Sequence, residues 1–293
     1  MSSYITIDAH VHLWEKQAGR VNGKPVVGVG NGKSDFGGEI RQMMPPYLTD
    51  NANTAERLLA NMDYAGVNAC VVTQEYIDGN QDAYVKRVRE KYPERFRVCA
   101  LYEERPQFSL EGADGLKICA GRLSNQDLTV LLPVFQEVEK SGRFISIDLA
   151  DGAAQVEGLA YLIEQCPSLR IAIGHFGMVT TKGWQQQIAL AKNKNVFIES
   201  GGLTWLFHKE FYPYPSAVDA ILEARDICGM EKLMWGSDYP RTMTDITYKM
   251  AVRFLIESRK LTEAEKRAFL GENAMRFYGF TNLAPLPEIA NML

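Results

Sequence analysis

The chain has 293 residues, 46% hydrophobic and 23% charged, the composition of a folded globular protein. A net charge of -4 and a pI near 5.7 exclude a basic face for nucleic acid. No apolar run reaches the roughly 18 residues of a membrane span, the opening MSSYITIDAH lacks signal-peptide character, and five cysteines without a CxxC pair fit buried, reduced thiols of a cytoplasmic protein.

In chain order, the first β-rich run is YITIDAHVHL (4–13). About forty residues follow (14–53), rich in Gly and Pro, which read as an irregular, lid-like loop over a binding site. Within it, GVGNGKS (28–34) invites a phosphate-loop reading. That pattern needs glycine at 27, where Val27 stands, and no helix follows Ser34. TAERLLANMDYAG has helical apolar spacing and a stop at Gly66. NACVVTQ (68–74) is the second strand run, and NQDAYVKRVREKYP a helix ending at proline. FRVCALY (96–102) and GLKIC (115–119) are joined by EERPQFSLEGAD, too short and broken for a full helix. RFISIDLA (143–150), the helix of VEGLAYLIEQCP, RIAIGHF (170–176) and NVFIES (195–200) come next. The helix of PSAVDAILEARDICG leads to KLMWGSD (232–238). Residues 262–280 form C-terminal helices, opened by a capping box of Thr262 and Glu265. Eight strands alternating with helices predict an α/β fold, a (β/α)8 TIM barrel with extra C-terminal helices, in one domain spanning 1–293 with its core at about 4–280.

The candidate site follows from strand alternation. Residues two apart share a face, so Thr6, Asp8, His10 and His12 point together and Ile5, Ile7, Ala9 and Val11 face the helices. Barrel enzymes work at the C-terminal ends of their strands. His10 and His12 lie there on strand one, Asp148 on strand five, His175 on strand six and Asp238 on strand eight, with Lys117 on strand four. Paired imidazoles are costly core residues and good ligands for a borderline divalent metal. Asp148 alternates with Ile145, Ile147 and Leu149 and should point inward. There it either joins His10, His12 and Asp238 around one ion or pairs with Lys117; the metal is preferred because His10 and His12 otherwise share no partner. Lys117, Arg105 and Arg241 are candidates for holding a substrate carboxylate. Trp205, Tyr76 and Tyr239 are candidate walls for a flat or cyclic substrate. His208 reads as a structural or lid residue.

DAHVHLW, GHFG and WGSDYP, in this order and spacing, resemble the amidohydrolase superfamily, and more narrowly its amidohydrolase-2 branch, from about Ile7 to Phe280. That branch includes aminocarboxymuconate-semialdehyde decarboxylase, related aromatic-acid decarboxylases, pyrone-dicarboxylate lactonase and sugar-acid lactonases. The resemblance implies that His10 and His12 are metal ligands, Asp238 a ligand or general base, and His175 the group that binds or polarises substrate. Asp148 stands where many members carry a histidine, which leaves zinc, manganese and a metal-free site open. Lys117 stands where some superfamily members carry a carboxylated lysine; a plain cation is the preferred reading. The expected activity is metal-dependent hydrolysis of a lactone or ester of a small carboxylate-bearing substrate. A non-oxidative decarboxylase of an aromatic or muconate-type acid is the alternative, and a non-catalytic binding barrel a second one. Expected partners are the small-molecule substrate alone, with no nucleic acid or membrane and with room for a homo-oligomer.

Overall fold

The computed structural model describes residues 4–105, 107–284 and 286. The chain forms β1 (Ile7–Val11), β2 (Ala18–Val21), β3 (Lys24–Gly30), β4 (Lys33–Asp35) and β5 (Ile40–Gln42), then α1 (Ala55–Ala65). Next come β6 (Ala69–Val72), α2 (Asp82–Lys91), β7 (Phe96–Leu101), β8 (Gly115–Cys119), α3 (Leu132–Lys140), β9 (Phe144–Asp148) and α4 (Val156–Gln165). They are followed by β10 (Arg170–Ile173), α5 (Trp184–Ala189), β11 (Val196–Glu199), α6 (Leu203–Leu206), α7 (Pro215–Cys228), β12 (Leu233–Met234) and α8 (Tyr248–Glu257). α9 (Glu263–Arg267), capped by the Thr262–Glu265 box, runs through a π-helical turn into α10 (Asn273–Tyr278). No described helix is long and apolar enough to cross a membrane. The five cysteines are free.

Eight parallel strands pair in the order β1-β6-β7-β8-β9-β10-β11-β12. Closure falls to the chain around and beyond the two-residue β12. Ala9 N–H bonds Trp235 O at 2.9 Å, Asp238 N–H bonds His10 O at 3.0 Å, and His12 N–H bonds Tyr239 O at 2.8 Å. The result is a (β/α)8 barrel. As expected, no helix lies between β7 and β8 among the described residues.

Alternation sorts the strands into two apolar layers. Val72, Val98, Leu116, Ile118, Ile145, Ile147, Ile171, Ile173 and Ile198 join the helices in the outer layer. Ile7, Ala69, Val71, Cys99, Phe144, Ala172, Phe197 and Met234 fill the barrel and meet Phe277 and Tyr278 of α10, which close its N-terminal end. Phe144 lies 5.8 Å from the Phe277 ring and 5.0 Å from Tyr278, tipped edge to face. Gly115 makes this fit, since a Cβ there would meet the Phe144 ring at 2.5 Å. Phe144→Ala would cost about 3–5 kcal/mol.

Two sequence expectations are corrected. β1 is not a regular strand: its pairing with β6 shifts register between Asp8 and Val11. Ile7 and Ala9 therefore face the barrel interior, and Asp8 faces α8, where it bonds Tyr248. The irregularity returns His10 and His12 to the interior and sends Val11 to the helix layer. Secondly, residues 14–53 are not an irregular loop. They carry a four-stranded antiparallel sheet, β2-β3-β4-β5. Two of its turns are Asn-Gly pairs, Asn22-Gly23 and Asn31-Gly32, all four residues with positive φ. Asn-Gly is the strongest short hairpin signal, and here it outweighs the interrupted alternation of AGRV and KPVVGVG.

Candidate metal centre and its cavity

The end of β1 and the segment after β12 bring three donors together. His10 Nε2 and His12 Nε2 are 3.1 Å apart. Asp238 Oδ1 lies 2.9 Å from His12 Nε2 and 3.8 Å from His10 Nε2. All three side chains are buried. Asp238 reaches this place through a left-handed backbone, φ 60, uncommon for a residue with a Cβ and costly unless the surroundings fix it. Asp8 does that fixing. Its carboxylate accepts from His10 N–H (3.1 Å), Ser237 N–H (2.8 Å), Ser237 Oγ (2.5 Å) and Tyr248 Oη (2.8 Å), tying the two ligand-bearing segments to α8. Burial pushes its carboxyl up to about 6 even against those donors.

Buried acids set the tautomers. His10 Nδ1–H donates to Glu199 Oε1 at 2.6 Å, which leaves its Nε2 lone pair facing the other donors. Gly236 makes room for this pair, because a Cβ there would lie 2.9 Å from both Glu199 Oε2 and His10 Cβ. Burial and the Arg241 charge hold His12 below its usual range, so its ring is neutral. Burial alone would raise Asp238, but its bond to His12 and nearby positive charge outweigh that and keep it ionised. Its second oxygen accepts from Trp205 Nε1 at 2.7 Å.

This donor set fits a divalent ion. Atoms about 2.1 Å from one tetrahedral centre lie about 3.4 Å from each other, and the three separations run from 2.9 to 3.8 Å. His12 Nδ1 is buried with no hydrogen-bond partner among the described residues, 3.7 Å from Asp78 Oδ2. With Nε2 given to an ion, Nδ1 carries the proton and turns toward that carboxylate, the usual second partner of a ligand histidine.

Asp148, at the end of β9, holds a second group beside the first, its partner His175 having its ring 4.6 Å from that of His10. Oδ1 is 2.5 Å from Lys117 Nζ, and Oδ2 is 3.5 Å from His175 Nε2. Asp148 is thus apart from the trio of His10, His12 and Asp238, although His10, Asp148 and His175 make a second close donor group. Burial opposes the Lys117 charge, but Asp148 outweighs it and holds the amine above its usual range. Burial likewise opposes a charged His175, yet Asp148 raises it to about 10. Its Nδ1–H donates to Gly201 O at 2.9 Å.

Both groups open on a cavity of about 460 Å³ at the C-terminal mouth, lined among others by Met43, Glu75, His175, Trp205, Asp238 and Arg241. Met43 follows β5, so the antiparallel sheet contributes to the wall. The structure does not bring Arg105 or Tyr239 to this cavity. Arg105 is solvent-exposed, 3.4 Å from Glu103, on the segment running away from β7. Tyr239 turns outward after the left-handed Asp238 and packs on Tyr248 at 5.5 Å in the helix layer. Tyr76 lines a neighbouring cavity of about 480 Å³ between β2–β3 and the loops after β6, β7 and β8. His208 is exposed and donates Nδ1–H to Trp205 O at 2.6 Å.

The residue reading missed Glu199, Glu75 and Asp78. Alternation in NVFIES was a usable signal for Glu199, since Val196 and Ile198 face outward and Glu199 inward. Glu75 and Asp78 follow a strand in an irregular loop, where alternation says nothing.

Fold and site define a parallel-barrel protein with imidazole and carboxylate donors gathered at the C-terminal mouth. The family profile described as amidohydrolase matches residues 7–280, and the chain belongs to this family of divalent-metal-dependent hydrolases. The fold is shared with a candidate 2-pyrone-4,6-dicarboxylic acid hydrolase of Pseudomonas putida, 19% identical, with a TM-score of 0.67 over 94% of this chain and 98% of the other. A similar candidate from Acinetobacter baumannii, solved with citric acid, is 20% identical, with a TM-score of 0.67 over 94% and 99%. A Burkholderia multivorans amidohydrolase with bound zinc is 16% identical, with a TM-score of 0.67 over 94% and 99%. At these identities the likeness establishes the fold alone. No curated protein matches the chain.

Proposed function

We propose that the protein opens a lactone or ester ring by metal-assisted hydrolysis at the cavity mouth. The observation that carries this reading is the convergence of His10, His12 and Asp238 within 3.8 Å, with the outer nitrogens of both histidines facing buried carboxylates. The ion is zinc or manganese by the chemistry of the donor set. When bound there, such an ion lowers the pKa of water and polarises a carbonyl.

The chain's own groups do the rest. Asp238, ionised and anchored by Trp205, accepts the proton of the attacking water. Asp148 favours the charged form of His175, whose ring lies 4.6 Å from that of His10, and its Nε2–H can stabilise the oxygen that gains charge as the carbonyl is attacked. Lys117 keeps Asp148 ionised, and Asp148 keeps His175 charged. The same proton on Asp238 can then pass to the departing alkoxide, leaving a ring-opened hydroxy acid.

The test is acid release from a lactone panel, with metal analysis of the purified protein before and after chelation. Stoichiometric metal, loss of turnover on chelation and recovery on adding zinc or manganese are expected. Full turnover in metal-free protein would overturn the proposal, and release of CO₂ without acid would replace it with the decarboxylase alternative.

A further inference from the structure

The cations around the cavity already face carboxylates. Lys117 and His175 face Asp148. Arg122 sets Nε and Nη2 at 2.8 and 2.7 Å from Glu75 Oε1. Arg241 gives Nη2 to both oxygens of Asp78 at 3.0 and 3.1 Å, with Glu75 Oε2 3.6 Å away. Glu75 thus sits where two guanidinium groups converge on the cavity wall, the place a substrate carboxylate would need. Burial would raise its carboxyl, but Arg241 and Arg122 hold it below the usual range, so it is charged.

Charge balance is not the whole of it. Arg241 Nε–H and Nη1–H are buried without an acceptor among the described residues. An unmet buried donor costs about 1–3 kcal/mol, so an incoming oxygen is favoured there. A carboxylate in that position would stand beside Glu75 and Asp78, and like charges a few ångströms apart repel strongly in a partly dry site. A hydroxyl or carbonyl oxygen satisfies the same N–H groups without that repulsion.

We infer that Glu75 is a specificity-determining residue: it fills the carboxylate place between Arg122 and Arg241 and restricts the site to uncharged lactones whose neutral oxygens bond Arg241. This rests on the lactone reading above and departs from the carboxylate-bearing substrate expected from the sequence. It also gives the arginine pair a new role: their charge holds side chains of the protein, and only the two unmet N–H groups of Arg241 are left for the substrate.

The experiment compares two γ-lactones that differ at one ring substituent, hydroxymethyl in one and carboxylate in the other, within a panel of uncharged aldono-1,4-lactones. Wild-type kcat/KM should be at least tenfold higher for the uncharged member. Glu75→Gln keeps the side-chain volume and frees the arginine charges, so it should shrink or reverse that preference at least tenfold, with folding checked by thermal unfolding. A measurement without any variant runs in parallel: the carboxylate lactone should inhibit wild-type turnover with a Ki at least tenfold above the KM of the alcohol. Preference for the carboxylate in wild type, or an unchanged preference in folded Glu75→Gln, overturns the inference and leaves the lactone reading standing. Hydrolysis of no lactone in the panel removes the reading and the inference together.

Discussion

The two walls of the cavity use the same residue types in opposite ways. On one wall His10, His12 and Asp238 face one another with a single proton's worth of hydrogen bonding among them and an orphaned His12 Nδ1 behind. On the other, the single carboxylate of Asp148 stands between two cations, Lys117 and His175. The first arrangement is incomplete without a further positive charge; the second is complete in that sense, since the protein supplies its cations, with one positive charge in surplus. A buried imidazole and a buried carboxylate therefore do not define a role. The role depends on whether the protein has already supplied the counter-charge.

Removing one donor from the incomplete wall should have the largest effect. His12→Ala or Asp238→Ala should abolish tight metal binding and lower turnover on the order of a thousandfold, read by metal content and acid release. A variant that keeps both would erase the distinction between the walls. On the complete wall the penalty should fall on stability. Lys117→Met strips Asp148 of its closest counter-charge and should cost about 3–5 kcal/mol in denaturant unfolding, with part recovered in Lys117→Met/Asp148→Asn. No recovery in the double variant would mean that Lys117 contributes through packing instead of charge.

Glu199→Gln tests the histidine tautomer rather than a ligand. It should weaken metal affinity about 10–100-fold while the barrel stays folded, measured by competitive chelation. An unchanged affinity would show that Glu199 does not set His10. The smallest effect is a pH dependence of metal-stripped protein. His175 rises from 6.5 in the unfolded chain to about 10 in the folded one, so the proton binds the folded state more tightly. Its stabilisation is complete below pH 6.5 and is lost as pH climbs toward about 10. The stability gap between wild type and His175→Gln should shrink over that window; a gap constant with pH would mean that His175 is neutral.

Much of this was legible in the chain. The eight strand runs, the helix ends at Gly66, Pro93, Pro167 and Gly229, and the Thr262 capping box are local signals, since each depends on backbone preferences within a few residues. The inward turn of Asp148 followed from alternation on a regular strand and holds. The same rule failed on β1, because a register shift is made by pairing with β6 and cannot be seen in IDAHVHL alone. The antiparallel sheet was misread as an irregular loop, because its strands are too interrupted for periodicity to announce them and the Asn22-Gly23 and Asn31-Gly32 turns were the only local signal.

Sequence by itself determined that His10, His12, Asp148, His175 and Asp238 stand at the C-terminal ends of the strands, because the strand runs and their order are written locally and by pattern. Only the tertiary structure decided how those groups are paired. Whether Asp148 faces Lys117 or an ion, whether Glu75 leaves Arg122 and Arg241 free, and whether Arg105 and Tyr239 reach the cavity depend on side chains far apart in the chain. Pairing of buried charges is settled over a few ångströms in a low-dielectric interior, by distances that only the closed barrel fixes.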